Sequence, residues 1–376
     1  LRHTPTQCLV CTVTQDIIRT TSYILANKSS NSMIKIYDLI AHQEWDDIVR
    51  SFADYDVYYL SGYVRAFYAH GDGEPQLLYY TSERLRAIYV YMKRSTTITN
   101  VYDSVTPYGY GGVLFEGDKS DQSLSDFWKE YIQKMNDENI IDNFVRYHPV
   151  LENAVHMKAI SHVIDLGNTI ALDLSSPEVI WENITSKNRN IIRKAQKNNI
   201  QIHHTENYSI FEYFISIYNQ TMQRDNAEEY YYFKKDFYKA IHDYLKGNYQ
   251  VFYATLDDQI IAVSIILYAN KQIHYHLSGS LNEYRSFAPT NLLLYEVALC
   301  GYQQGYKTFH LGGGLGSGND NLYKFKAAFN RTSRLQFSIG KQIFNQALYN
   351  KLVEERLAKD PNFDLEGKYF PLYRSK

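Results

Sequence analysis

Cysteine is scarce in this chain: three residues among 376, Cys8, Cys11 and Cys300. Three thiols cannot build a disulfide framework, so the fold must rest on packed cores, and a reducing, cytoplasmic location is expected. The Cys8-x-x-Cys11 spacing is half of a zinc or redox site, but neither a second cysteine pair nor a spaced histidine pair completes it, and no metal is expected. An excess of one charge is also lacking. With 39 Lys and Arg against 41 Asp and Glu the formal net charge is −2, which excludes a general DNA-binding field and leaves any RNA partner a local patch at most. No apolar run reaches the roughly 18 residues of a membrane span, and Ile17 to Ala26 is too broken by Arg19, Thr20, Thr21 and Ser22 to be a secretory core. The glycine-rich run Gly312 to Asp320 lacks both the Lys-Ser/Thr ending of a phosphate loop and a G-x-G-x-x-G spacing, so NTPase and dinucleotide readings fall.

Aromatic side chains are abundant. The 36 Tyr residues are expected to take half-buried positions that Phe and Leu fill elsewhere, with sugar or base stacking as the alternative. A length of 376 residues with 45% hydrophobic content supports two domains. Residues 1–32 show little periodicity and end in the polar run Asn27 to Ser32, so they read as a leader or extension. The first domain, 33–157, opens on a strand at Met33 to Tyr37. It continues through a helix over His42 to Phe52, a break at Asp54 to Tyr58, and strands at Gln76 to Tyr80 and Leu85 to Lys93. A helix over Ser123 to Asn139, capped by Ser123 or Asp121, and a strand at Phe144 to His148 complete it. Between them Thr106-Pro-Tyr108-Gly-Tyr110-Gly-Gly112 is too rich in glycine for a strand interior. It is either a tight turn with packed tyrosines or the floor of a substrate cleft.

The second domain, 158–376, starts with a strand pair over Val163 to Asp173 and one helix from Pro177 to Asn198. Five positive charges, Lys187, Arg189, Arg193, Lys194 and Lys197, crowd one side of that helix as either a solvated face or a phosphate contact. A strand, Ile200 to His204, and a helix, Ile210 to Gln223, then lead to Arg224 and the cluster Tyr230-Tyr231-Tyr232-Phe233. An Arg fork beside stacked rings suits a sugar-phosphate, and a packed junction between helices suits the same residues. Three strands follow, with hairpin turns at Asp257-Asp258 and Ala269-Asn270.

The chain is organised around Gln272 to Arg331. QIHYHLSGS alternates as a half-buried strand, Pro289 fixes the start of a helix that stops at Gly305, and Tyr306 to Leu311 returns as a strand. Such a βαβ unit aims the helix's free N–H groups at the strand's end, where a phosphate or developing oxyanion can sit. Candidate substrate contacts there are His276, Ser278, Gly279, Arg285, Asn291 and Gly313, joined by Arg224, Tyr231, Tyr108 and Tyr110. In Leu322 to Phe329, Leu322, Phe325 and Phe329 form an apolar face while Tyr323 and Lys326 project together at i and i+3, either into solvent or as catalytic groups.

The runs HYHLSGS, EYRSFAPTNLLLYEVAL, GYKTFHLGGG and LYKFKAAF, with TPYGYGG and SPEVIWENITSKNRNIIRKAQKNNIQI upstream, together resemble the Fem group, the peptidoglycan aminoacyltransferases and their relatives, from about Met33 to Leu357. The resemblance implies a mixed α/β (α+β) chain of two tandem GNAT-like domains, acyl transfer to an amino group of a small molecule or cell-wall precursor, and no metal. It further implies Arg224 at the acceptor site and Phe325-Lys326 near the acyl-transfer centre. The turn Asn282 to Asn291 has none of the glycines with which GNAT enzymes receive the pyrophosphate of acyl-CoA. Fem relatives share that departure, and the donor it implies is an aminoacyl-tRNA, with acyl-CoA as the alternative. The long coiled coil of some Fem enzymes is not expected, because no stretch sustains three apolar heptads. The resulting expectation is an N-acyltransferase without a tightly bound cofactor. A CoA-dependent N-acetyltransferase and a silent sugar-phosphate-binding module are the alternatives.

Overall fold

The structure, a computed structural model, describes residues 32–375. The expected leader, with Cys8 and Cys11, lies outside these residues except for Ser32. The first half runs β1 (Met33–Tyr37), α1 (His42–Arg50), α2 (Ser61–His70), β2 (Glu74–Thr81), β3 (Leu85–Ser95), β4 (Tyr102–Val105), β5 (Leu114–Gly117), α3 (Asp121–Asp137), β6 (Ile140–Arg146) and α4 (Ala154–Met157). The second half continues with β7 (Val163–Asp173), α5 (Pro177–Asn183), α6 (Ser186–Lys197), β8 (Gln201–Thr205), α7 (Ile210–Arg224) and α8 (Lys235–Tyr244). It closes with β9 (Tyr249–Leu256), β10 (Gln259–Ala269), β11 (Gln272–Ser280), α9 (Pro289–Gln303), β12 (Thr308–Gly312), α10 (Asn321–Ala327), β13 (Leu335–Ile343) and α11 (Gln346–Lys359).

One mixed sheet carries both halves, in the order β1-β2-β3-β4-β6-β13-β7-β12-β11-β10-β9-β8, with β5 beside β3. Each half contains one parallel pair bridged by a helix: β4 with β6 around α3, and β11 with β12 around α9. The same motif thus occurs twice, which is the tandem GNAT-like architecture expected. β13 joins the two halves, pairing antiparallel with β6 on one side and β7 on the other.

Several local expectations change. Ser120, not Ser123 or Asp121, caps α3, its hydroxyl accepting from the Ser123 N–H. The expected strand at Phe144 to His148 runs Ile140–Arg146, and Val163–Asp173 is a single strand. The helix expected over Pro177 to Asn198 is two helices, because Ile184 is extended and Thr185 restarts the helix by accepting from the Asn188 N–H. α2 had no periodic signature because it is buried on most sides through Ser61, Gly62, Tyr63, Val64, Ala66 and Phe67. Gly62 explains how closely it packs: a Cβ there would lie 2.0 Å from the Tyr244 carbonyl oxygen at the end of α8.

Tyrosine is more deeply buried than half-buried spacing suggested. Tyr59, Tyr63, Tyr89 and Tyr91 are wholly inside, and their hydroxyls donate to Gly112 O, Tyr108 O, Asn143 Oδ1 and Gln76 Oε1. One core contains Tyr58, Tyr63 and Phe67 from the first half with Phe211, Phe214, Phe233 and Phe237 from the second. Cys300 is half-buried.

Candidate active site

β11 and β12 define the site. They pair from Gln272 to His274 and from Thr308 to His310, and then β11 stays with β10 while β12 stays with β7, so a fork opens beyond the two histidines. A bulge in β11 sets two residues, His276 and Leu277, against one of β10, Ile265, between the pairs Tyr275–Ile266 and Ser278–Ser264. It turns Leu277 into the core shared by the halves, whereas Ile273 and Tyr275 face the core under α9. Both faces of β11 are covered, so the half-exposed strand expected from the alternation is instead a central one.

α10 delivers a lysine to the mouth of this fork. Asp320 caps the helix, accepting from the N–H groups of Tyr323 and Leu315. Tyr323 and Lys326 share one face, as the i, i+3 spacing indicated, and both are buried; of the apolar face expected, Phe329 is in the core and Phe325 packs against it, while Leu322 is exposed. Lys326 Nζ donates to Gly313 O at 2.7 Å and lies 5.9 Å from the centre of the Tyr275 ring. Burial lowers the proton affinity of Lys326 to about 8, partly offset by Asp320. A Cβ on Gly312, whose φ is +80°, would lie 3.3 Å from both Lys326 Nζ and Tyr110 Oη. The glycine therefore keeps open the point on which ammonium and phenol converge.

The loop Thr106 to Gly112 brings its two tyrosines to different neighbours. Gly109, at φ +92°, lies where a Cβ would meet the Tyr58 ring at 2.5 Å, and Arg146 Nε holds its carbonyl at 2.8 Å. Tyr110 packs 5.0 Å from His310. Tyr108 stacks on Phe67 at 5.6 Å and meets His276 at 5.8 Å and Tyr231 at 6.4 Å, forming an aromatic wall. Burial, with a smaller contribution from His274, lowers the His276 proton affinity to about 3, and its Nε2 is buried without a hydrogen-bond partner.

Other sequence candidates sit in scaffolding contacts. Arg224 donates from Nη1 to Ser280 O at 2.9 Å and from Nε to Asp225 at 3.0 Å, so its fork is already engaged. Ser278 Oγ donates to Val263 O and accepts from Ser264 Oγ, and a Cβ on Gly279 would meet the α7 backbone at Tyr218 Cα, 2.8 Å away. Asn291 Nδ2 donates to Asn188 Oδ1, tying the start of α9 to α6. Arg285 is exposed on the 3-10 turn Asn282–Phe287 that precedes α9, where Lys194 Nζ donates to Ser286 O. Ala288, the residue before Pro289, is left-handed at φ +56° and offers no side-chain cap.

Sequence reasoning passed over four buried residues in the same region: Asp56, His148, His274 and His310. Burial, then His274, His148 and Lys326, hold His310 well below the usual imidazole range, and its Nε2 lies 2.8 Å from Thr169 Oγ1.

Residues 186–327 match the family model of an acetyltransferase (GNAT) domain. This stretch resembles a GNAT domain. Its boundaries enclose α6 through α10 and so include the fork and the lysine, which makes the chain an N-acyltransferase. Among solved structures, that of FemX shares the fold with a TM-score of 0.64 and 14% identity, covering 84% of this chain and 99% of that one. A conserved protein of unknown function from Bacteroides thetaiotaomicron gives a TM-score of 0.57 at 12% identity, over 82% and 99% of the two chains. No curated protein matches in sequence. Among the described residues no helix is long and apolar enough to cross a membrane.

Proposed function

We propose that this acyltransferase moves an aminoacyl group to a primary amine of a cell-wall precursor in the cytoplasm, with Lys326 as the group that receives charge on the acyl carbonyl oxygen. The observation that carries the reading is the buried ammonium at the mouth of the β11–β12 fork, with one of its three donors on Gly313 O. As the amine attacks, the carbonyl oxygen becomes an oxyanion, and a fixed cation in a dry site stabilises that charge more than it stabilises the ground state. Tyr110 Oη approaches the same point above Gly312 as the ammonium, each 3.3 Å from where a Cβ would lie, and can share the oxyanion or guide the amine. The wall of Tyr108, Tyr231 and His276 suits the sugar or peptide part of the acceptor, with Tyr323 supporting Lys326 from the same helix face.

The donor is read from the turn before α9. Asn282–Phe287 forms a glycine-free 3-10 turn, with the exposed Arg285 and Lys194 about it, rather than the glycine-lined loop that a CoA pyrophosphate needs. This favours aminoacyl-tRNA, and the likeness to FemX points the same way, whereas the GNAT domain model leaves acyl-CoA as the alternative. Melting temperatures measured with CoA, acetyl-CoA, a UDP-linked muropeptide and aminoacyl-tRNA separate these readings, because a ligand that binds only the folded chain raises stability. Shifts with the muropeptide and the aminoacyl-tRNA are expected. A shift with CoA alone overturns the aminoacyl reading.

A further inference from the structure

We propose that Arg146 anchors an oxyanion of the acceptor, a carboxylate or a phosphate, with the free end of its guanidinium; the proposal rests on the acyl-transfer reading above. Arg146 ends β6 and pairs with Ile339 of β13, so the two side chains stand on the same face of the sheet. The loop Thr106 to Gly112 clamps it at three points. Its N–H donates to Thr106 Oγ1 at 3.0 Å, its carbonyl accepts from the Gly111 N–H at 2.8 Å, and its Nε donates to Gly109 O at 2.8 Å. Gly109 separates Tyr108, which belongs to the aromatic wall, from Tyr110, which approaches the point above Gly312 shared with Lys326. The guanidinium carbon lies 5.2 Å from the centre of the Phe337 ring, and that ring is 5.7 Å from Tyr110. Burial raises the proton affinity of Tyr110 and the positive charge of Arg146 opposes the rise, so the two groups sense each other electrostatically.

What this guanidinium lacks is a partner for its far end. Arg86, Arg94, Arg224 and Arg374, half-buried like Arg146, each rest on a carboxylate. Arg65 and Arg189 do not, but each places a terminal nitrogen on a backbone carbonyl. Arg146 does neither: among the described residues Nη1 and Nη2 have no hydrogen-bond partner and no ion pair, and neither is sealed from solvent. A cation drawn partly out of water without a counter-charge is costly, and an anionic ligand offsets that cost. With Nε fixed and the guanidinium set over Phe337, the two terminal nitrogens offer parallel donors that match two oxygens of a carboxylate or phosphate, and little side-chain freedom remains to be lost on binding. Position assigns the anion to the acceptor. In the sheet β6 is separated from β12 by β13 and β7, whereas the turn from which the donor is read precedes α9, beside β11 and β12. Arg146 therefore belongs with Tyr108 to the first half's side of the cleft. Arg224, expected to serve the acceptor, has its fork engaged by Ser280 O and Asp225, and Arg146 takes that role from the other half.

The test compares wild type with Arg146→Gln by calorimetric titration of three acceptors: the UDP-linked muropeptide, the same muropeptide stripped of UDP, and the UDP-linked form with its peptide carboxylates amidated. Glutamine carries its amide nitrogen where arginine carries Nε, so the bond to Gly109 O can persist and only the fork is lost. The melting temperature of the free variant should therefore not fall. Affinity for the intact acceptor should drop about 10- to 100-fold, the usual loss when a charge-assisted hydrogen bond is removed. Stripping the acceptor of the anion that Arg146 holds should weaken wild type by a similar factor and leave the variant's affinity where it was. A match on removal of UDP identifies a phosphate, and a match on amidation identifies a carboxylate. Derivatives that weaken both proteins equally overturn the proposal, as does wild-type protein that binds none of the three acceptors. A lowered melting temperature with the same loss for every acceptor would show that Arg146 only clamps the loop. Because these are binding measurements, wild-type protein that binds as expected yet transfers no aminoacyl group refutes the acyl-transfer reading and leaves the anion site standing.

Discussion

Burying the Lys326 ammonium carries a stability penalty on the order of 3 kcal/mol at neutral pH, from the displacement of its proton affinity to about 8. For a lysine displaced downwards, the penalty is full below about pH 8 and fades as the unfolded chain also loses its proton near pH 10. Lys326→Met keeps the stem and removes the charge. The melting temperature at pH 7 should rise while kcat falls about 10²-fold or more and KM stays within a few-fold. In the wild type, turnover should decline as pH rises through about 8. Lys324→Met, on the exposed side of Phe325, should change neither quantity. A lower melting temperature, or a raised KM with kcat intact, would sink the catalytic assignment. The pairing of Tyr323 with Lys326 was legible from helical spacing, but their burial was not, because it depends on neighbours supplied by the tertiary fold, Tyr110 of the first half among those near Lys326. The same holds for Asp56, His148, His274 and His310: each stands in a different segment, and His274 carried the signature of an outward strand position.

The segment after β13 is an element with its own electrostatics. α11 and the 3-10 turn Leu372–Arg374 return to the first half, where Tyr373 Oη lies 2.9 Å from Asp103 Oδ2 and 2.7 Å from Asp142 Oδ2, and Arg374 pairs with Asp103. Burial, then the charge of Asp103, raises the Asp142 carboxyl to about 8. A carboxyl raised on folding supports the fold fully below about pH 4 and loses that support as pH climbs through about 8. Amide exchange in residues 346–375 should therefore quicken between pH 6 and 9 beyond its intrinsic pH dependence, and Asp142→Asn should abolish the excess. Protection that keeps pace with intrinsic exchange in the wild type would show that Asp142 is not protonated. Elements with strong periodicity or turn chemistry, such as the hairpin at Asp257-Asp258 with both residues at positive φ, were readable in advance. α2 was not, since a helix surrounded by protein has no polar face to mark its period.

At the scale of the whole molecule, the repeated parallel pair was legible as two GNAT-like units, but the path of β13 between β6 and β7 was not, because strand order is a property of the assembled sheet. We propose units at 33–157 and 158–376, with folding that does not respect the division. The sheet and the core of Tyr58, Tyr63, Phe211 and Phe237 run through both, so calorimetry should show a single transition with calorimetric and van't Hoff enthalpies in agreement. Two resolved transitions would refute this. The contact at Gly62 then bears on traffic. With α2 set so closely against the end of α8 that a methyl group has no room, the two units are sutured beside the aromatic wall and cannot part like jaws.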